Sequence, residues 1–597
     1  MDSADIDRNW WKEAVVYQVY PRSFNDTDGD GVGDIPGIIE KLDYLEDLGV
    51  DVIWLNPVYE SPNADNGYDI ADYQSIMSEF GTMADWEELL DGLHDRGIKL
   101  IMDLVVNHTS DEHEWFVKSR ADEGDFRDYY IWREGRTDVD GWTGDLGPDD
   151  EAPPNEWGSF FGGPAWEYDE EVGKWYLHIF DVKQPDLNWE NEAVREEVFE
   201  MMEWWLEQGI DGFRMDVINL ISKPPSVTDN DPPLPDDFGA TFNGPKIHEY
   251  IGEMGDRVLS EDLLTVGEMV GDVSMDDARQ YVGRDGDGLS MLFHFDHMLL
   301  DRGGDLWQYH GYDLTDLKGV FRHWQKGLEG DGWNSNYLNN HDQPRMVSRF
   351  GDDGEYRVES AKLLGTLLHT LHGTPYVYQG EEIGMTNYPF ESLDDFQDVD
   401  TLNPVSNAID EGVIESFEAE KESISMLSRD NARTPVQWSG DEEHGGFTDG
   451  EPWLGVNPNY DEINVADARA DSESVWHYYK ELIALRDDSE HKDLIVYGSY
   501  DDLWPSHTDL WAYTRTLDDD RLLVVLNFTS ETQEFRLPRA EETHAAGDYR
   551  DDLPLHAGEV PDLDTELVIA NYDVDDADSD PTEFDLRPWE ARVYRLS

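Results

Sequence analysis

A chain of 597 residues with 135 Asp and Glu against 43 Lys and Arg, a net charge of -92, is too long for one hydrophobic core and too acidic to take nucleic acid or an anionic membrane as partner. An apolar share of 39% with 22 Trp, 28 Tyr and 22 Phe excludes disorder, and the lack of cysteine excludes disulfides and thiolate metal sites. No apolar run of about 18 residues and no basic-then-apolar leader occurs, so a cytoplasmic protein is expected. The carboxylates are spread over the whole chain, which fits a surface that stays hydrated in concentrated salt, where the Debye length falls to about 3 Å at 1 M.

Taken in order, residues 14–20 are β-branched and aromatic, 37–48 have helical periodicity, and 52–55 form a second apolar run. The alternation continues with a helix over 83–96 and a strand over 99–106. After a long interruption come a helix over 193–208 and a strand over 212–217. Further strands are predicted at 264–267, 291–295, 333–338 and 375–378, near helical patterns such as 314–328 and 358–371. Eight strands alternating with helices predict a (β/α)8 TIM barrel, whose catalytic groups come from the C-terminal ends of its strands.

The interruption is rich in Gly, Pro, Trp and acidic residues and too long for an ordinary loop, so it reads as a small inserted domain after strand 3. Residues 219–245 and 386–453 are further insertions at the pocket mouth. From about residue 500 short alternating runs predict a C-terminal antiparallel β-domain. The expected divisions are barrel 1–108, inserted domain 109–181, barrel 182–499 and β-domain 500–597.

Four strand ends carry polar groups that a core would not tolerate unpaired: Asp103 with Asn107 and His108, Arg214 with Asp216, Glu268, and His341 with Asp342. A lone strand-end carboxylate reads best as an ion pair; four such sites at one end of a barrel read as a catalytic face. Cleaving a glycosidic bond with retention needs one carboxylate to attack and one carboxylic acid to protonate the leaving oxygen. Arg214, two residues before Asp216, falls on the same strand face and favours its anion, while Glu268 follows an apolar strand whose burial would raise its pKa.

The segments 101–108 (IMDLVVNH), 212–218 (GFRMDVI), 266–269 (VGEM) and 338–345 (LNNHDQPR) resemble, in order, the four motif regions of the α-amylase superfamily of glycoside hydrolases. QPDLNW at 184–189 and ARTPVQW at 432–438 resemble its oligo-1,6-glucosidase and α-glucosidase branch. The resemblance implies Asp216 as nucleophile, Glu268 as acid/base and Asp342 as the third carboxylate. It implies that His108, Arg214 and His341 contact the first glucose, that Tyr68 stacks beneath it, and that Asp69, paired with Arg433, closes the pocket. Phe161, Phe180 and Gln184 match acceptor-side positions. The implied activity is exo-action on short α-glucosides.

The loop Asp26-Thr-Asp28-Gly-Asp30-Gly-Val32-Gly-Asp34 places carboxylates at alternate positions among glycines, a pattern that can wrap a hard cation. It resembles the metal loop of the same branch, which implies a structural Ca²⁺ on Asp26, Asp28, Asp30, the Val32 carbonyl and Asp34. Valine after the nucleophile, Val217, resembles the α-1,6-preferring enzymes; a methyl or two there is worth only about 1–3 kcal/mol. Two rival readings remain: a glucosyl transferase or sucrose isomerase, to which residues 298–303 bear a loose likeness, and a non-catalytic transporter heavy-chain ectodomain. The first lacks the second arginine of that loop, and the second needs an anchor.

Overall fold

The computed structural model describes residues 6–137, 146–228, 238–284, 286, 288–487, 489–539, 555–560, 563–574 and 580–597. Eight parallel strands form the centre: β1 (Val16–Val19), β2 (Val52–Leu55), β3 (Lys99–Val105), β4 (Gly212–Asp216), β5 (Leu264–Met269), β6 (Met291–His294), β7 (Ser335–Asn336) and β8 (Thr374–Tyr378). They pair in the order β6-β5-β4-β3-β2-β1-β8-β7. A parallel bridge from Leu292 to Asn334, with Ser335 Oγ donating to Leu292 O at 2.6 Å, joins β6 to β7 and closes the barrel. Nearly every strand residue is buried, as continuous apolar runs covered on both faces require.

Local chemistry sets the helix ends. Thr82 and Asp85 form a capping box before the helix Met83–His94, and Asn191 caps Glu192–Gln208, which stops at Gly209 in the left-handed region. The helix expected over 37–48 is two, Ile35–Glu40 and Leu42–Leu48, broken where the Lys41 N–H turns back to Ile38 O at 3.0 Å.

The insertion leaves β3 after His108 and returns where Asp186 bridges back to His108 and Leu187 to Tyr130. It carries a helix Glu114–Arg120 and a small antiparallel sheet of Trp132–Arg133, Lys174–Leu177 and Trp166–Asp169. Its core of Trp157, Trp166, Trp175, Leu177 and Ile179 also takes in Val217 and Leu220 from the loop after β4, which ties the insertion to the strand that bears Asp216. The C-terminal sheet has five antiparallel strands, starts at Ser499, one residue before the expected division, and packs over a core of its own. Among the described residues no helix is long and apolar enough to cross a membrane. Part of the predicted 219–245 insertion, residues 229–237, lies outside the described residues.

Candidate active site

Gly212 opens β4 with φ 154°, and a Cβ there would meet Leu264 O at 1.8 Å, so only glycine lets β4 and β5 pair this closely. Two residues on, the Arg214 side chain turns into the barrel mouth, buried to 1% exposure. Its Nη1 donates to Asp103 Oδ1 at 2.9 Å and to Asp216 Oδ1 at 2.6 Å, and its Nη2 lies 2.9 Å from Glu268 Oε2. Three carboxylates from three adjacent strands thus converge on one guanidinium. Fully ionised, the set would carry a charge of −2 in a buried site, an arrangement that works against ionising all three acids together.

Val217 is left-handed at φ 35°, an uncommon conformation for a β-branched residue, and its N–H donates to Glu268 Oε2 at 3.0 Å. Glu268 therefore has a backbone donor and an ion-pair partner, where the sequence points only to burial behind an apolar strand; the cause is the turn at Val217, which aims its N–H across to β5. Burial pushes the Asp216 carboxyl well up, Arg214 pulls it down, and the charges of Glu268 and Asp103 push it up again. Arg214, expected to favour the Asp216 anion, is opposed there by burial and by two neighbouring carboxylates.

Across the mouth Asp342 has a different setting. Its Oδ1 accepts from Arg433 Nη2 at 2.8 Å and Arg429 Nη1 at 3.2 Å, and His341 Nε2 lies 2.9 Å from its Oδ2. Burial works against the anion, but His341, Arg429 and Arg433 together hold Asp342 well below the usual carboxylate range. Gln18 Nε2 donates to His341 Nδ1 at 2.8 Å, which leaves the proton of a neutral ring on Nε2, toward Asp342. Tyr68 stacks on His341 with ring centroids 5.2 Å apart and planes 6° from parallel, and its hydroxyl accepts from Asn56. His108 is buried, which lowers it to about 4; its Nε2 donates to Tyr68 O at 3.1 Å while Nδ1 accepts from Asn107.

The structure corrects the pairing expected of Asp69 and Arg433. Asp69 accepts from Ser61 Oγ and from the backbone N–H groups of Ala64 and Asp65, so it is spent on its own turn. Asp65 faces the closing arginine instead: its Oδ1 takes Arg429 Nη2 at 3.3 Å and its Oδ2 takes Gln184 Nε2 at 3.1 Å. Arg433 divides its donors between Asp342 and Asp398, and Arg429 binds Asp398 Oδ1 at 2.5 Å. Burial raises Asp65 to about 7 against the pull of Arg429 and Arg433. Asp65 has a sequence signal, three residues before Tyr68 in the same Asn-Gly turn, and Arg429 stands four residues before Arg433. Asp398 has none, since only the fold brings the helix Val399–Asp410 to this wall.

Phe180 lies 5.2 Å from the His108 ring and 5.8 Å from Phe161, whose face the Arg429 guanidinium covers at 5.0 Å. The insertion therefore meets the arginine wall and closes one flank of the pocket.

In the acidic loop, single oxygens of Asp26, Asp28 and Asp34 lie within 4.8 Å of one another. Asp30 is not in that group, and its Oδ1 accepts from the Val32 N–H at 2.9 Å. Gly31, at φ 96°, allows the loop to pass Glu451 O, which a Cβ would meet at 1.8 Å. Burial and the charge of Asp26 both push Asp34 up, a strain that a cation among these oxygens would relieve, so the donor set fits a hard ion.

A barrel with Asp216, Glu268 and Asp342 at the C-terminal ends of its strands has the parts of a carboxylate-based glycoside hydrolase. Residues 18–498 match the model of the α-amylase catalytic domain. The chain belongs to the α-amylase family and is a glycoside hydrolase. It is 53% identical to the oligo-1,6-glucosidase of Parageobacillus thermoglucosidasius, over 99% of this chain and 100% of the relative. Among solved structures it resembles the trehalose-6-phosphate hydrolase of Bacillus licheniformis (46% identity, TM-score 0.87) and the isomaltulose synthase of Erwinia rhapontici NX5 (41%, TM-score 0.88), each over 99% of this chain and 100% of the other.

Proposed function

We propose that the chain is a retaining, exo-acting α-glucosidase that releases glucose from the non-reducing ends of short α-glucosides. The observation that carries this is the pair Asp216 and Glu268 on the two terminal nitrogens of Arg214, inside a pocket whose far end Asp65, Arg429 and Arg433 shut. A double displacement needs its two carboxyl groups about 5–5.5 Å apart, and a shared guanidinium keeps them side by side.

The Asp216 carboxylate attacks the anomeric carbon while the Glu268 carboxylic acid passes its proton to the departing oxygen, leaving a glucosyl ester on Asp216. The Glu268 carboxylate then takes a proton from water, whose oxygen displaces Asp216 and releases glucose. Another sugar hydroxyl in place of water gives transfer. The cycle needs Asp216 as the anion and Glu268 as the acid at the first step, and two carboxyl groups beside one guanidinium can exchange a proton between them. Asp342 and His341 present acceptor and donor to the ring hydroxyls, and Tyr68 supplies the flat face beneath.

Asp216→Asn is expected to cut p-nitrophenol release from its α-glucoside by roughly 10⁴-fold or more with the fold intact. Retained activity would remove Asp216 from this role. We assign isomaltose over maltose as the better substrate, supported by Val217 and by the oligo-1,6-glucosidase relative; a higher kcat/KM on maltose or sucrose would reverse that.

The acidic loop is proposed to hold Ca²⁺ as a structural ion through Asp26, Asp28, Asp30, the Val32 carbonyl and Asp34, so EDTA should lower the Tm. The net charge of -92 supports a salt-rich cytoplasm as the working environment, and dialysis into dilute buffer should cost activity.

A further inference from the structure

Far from the sugar pocket, the seam between the last helices of the barrel and the C-terminal sheet holds an imidazole with no ring hydrogen bond among the described residues. His491 precedes the helix Lys492–Tyr497 and is 7% exposed. Its Nδ1 is buried without a partner, and its Nε2 lies 3.8 Å from Glu566 Oε1, beyond hydrogen-bond reach. Glu566 belongs to the strand Thr565–Ala570 at the edge of the C-terminal sheet. Glu490, next in the chain to His491, completes a trio whose ligand atoms all lie within 4.8 Å of one another.

A buried polar ring left unbonded costs free energy that the fold must recover elsewhere. A metal ion bound to Nε2, the nitrogen that faces the carboxylates, would replace the loose 3.8 Å contact with a bond to the ring. Bonds of about 2.0–2.2 Å bring two ligand atoms to roughly 3–3.5 Å apart, a small contraction from 3.8 Å. One imidazole nitrogen with two carboxylate oxygens suits a borderline divalent ion such as Zn²⁺ or Co²⁺, where an all-oxygen loop suits Ca²⁺. Arg595 is the neighbouring cation: its Nη1 lies 3.1 Å from Glu490 Oε2 and its Nη2 2.8 Å from Asp520 Oδ2, so it steadies the Glu490 carboxylate through one oxygen only. The geometry points to Glu490, His491 and Glu566 as a site for a divalent transition-series ion that clips the barrel to the edge strand of the C-terminal sheet.

The full-length protein, kept in excess Ca²⁺ to fill its all-oxygen sites, is titrated with Co²⁺ and followed by visible absorption, then challenged with Zn²⁺. One saturating equivalent that Zn²⁺ displaces is expected, lost in His491→Gln and weakened at least tenfold in Glu566→Gln. Zn²⁺ should raise the Tm of the parent protein and leave that of His491→Gln unchanged, with glucose release equal in all three before metal is added. Glu566 is exposed, so its variant decides the matter even if His491→Gln does not fold. Titrations that coincide for parent and variants, or the absence of a saturating site, would overturn the assignment and leave only diffuse binding to surface carboxylates.

Discussion

The two sides of the sugar pocket solve the problem of buried carboxylates in opposite ways. On the far wall Asp65, Asp342 and Asp398 share Arg429 and Arg433, and Asp342 is held well below the usual range. On the near side Asp103, Asp216 and Glu268 share Arg214 alone, and Asp216 is pushed well up. With His341 beside them, the two arginines keep Asp342 a fixed anion that can bind hydroxyls through a whole catalytic cycle. One cation shared by three acids leaves Asp216 raised, the setting in which neighbouring carboxyl groups can trade a proton, as acid/base chemistry requires.

The largest test breaks the near side at its proton carrier. Glu268→Gln keeps the donors to residue 268 but removes the transferable proton, so kcat/KM on a disaccharide should fall by roughly 10²–10⁴-fold. A substrate with a good leaving group, which needs little protonation, should lose far less. If both substrates lose equally, Glu268 positions the sugar and another group supplies the proton.

A smaller effect is expected on the far wall. Asp65→Ala leaves Arg429 without one of its carboxylates and the non-reducing end without an acceptor, a truncation worth about 2 kcal/mol or more, or a roughly 30-fold rise in KM. Asp69→Ala should lower the Tm and spare KM, because Asp69 serves only its own turn. A KM that responds to Asp69 and not to Asp65 would restore the pairing the sequence suggests. Because Asp65 is raised to about 7, its ionised form thins as pH falls through that value, so KM should rise on the acid side in the parent protein and not in Asp65→Ala.

The contrast between the walls also marks what could be read from the chain. All eight barrel strands, the insertion and the C-terminal sheet follow from apolar runs and their spacing, since period and burial are local properties. Asp103, Arg214, Asp216, Glu268 and Asp342 were legible because each sits at the end of such a run. The far wall was misread by one partner on each side, Asp69 for Asp65 and Arg433 for Arg429. Both errors are four residues long, within a tight turn or a single helical turn, and only the backbone path decides which of two like residues faces the pocket. Asp398 and the Val217 N–H were invisible, the one because it arrives on a distant helix, the other because a strained φ has no side-chain signature.

A third carboxylate site extends the comparison to acids with no ion pair among the described residues. Glu381 and Glu382 follow β8, fully buried, with tyrosine hydroxyls as their side-chain donors: Tyr479 to Glu381 at 2.9 Å, and Tyr17 and Tyr44 to Glu382. Burial raises Glu381 to about 8, with the Tyr479 hydroxyl and the Tyr378 N–H opposing it. Above pH 4.5 the unfolded chain releases this proton while the folded one keeps it, so the group costs stability as pH rises from about 4.5 to 8 and adds no further slope above. One retained proton corresponds to a slope of about 1.4 kcal/mol per pH unit at most. Glu381→Gln, which cannot ionise, should flatten the fall in unfolding free energy across that window, leave the protein more stable at pH 8 by a few kcal/mol as an order of magnitude, and leave glucose release unchanged. Denaturant titrations at fixed salt from pH 5 to 8 measure this directly. An unaltered slope would mean that Glu381 is ionised in the fold, and that tyrosine hydroxyls can do for a buried carboxylate what the far wall needs two arginines to do.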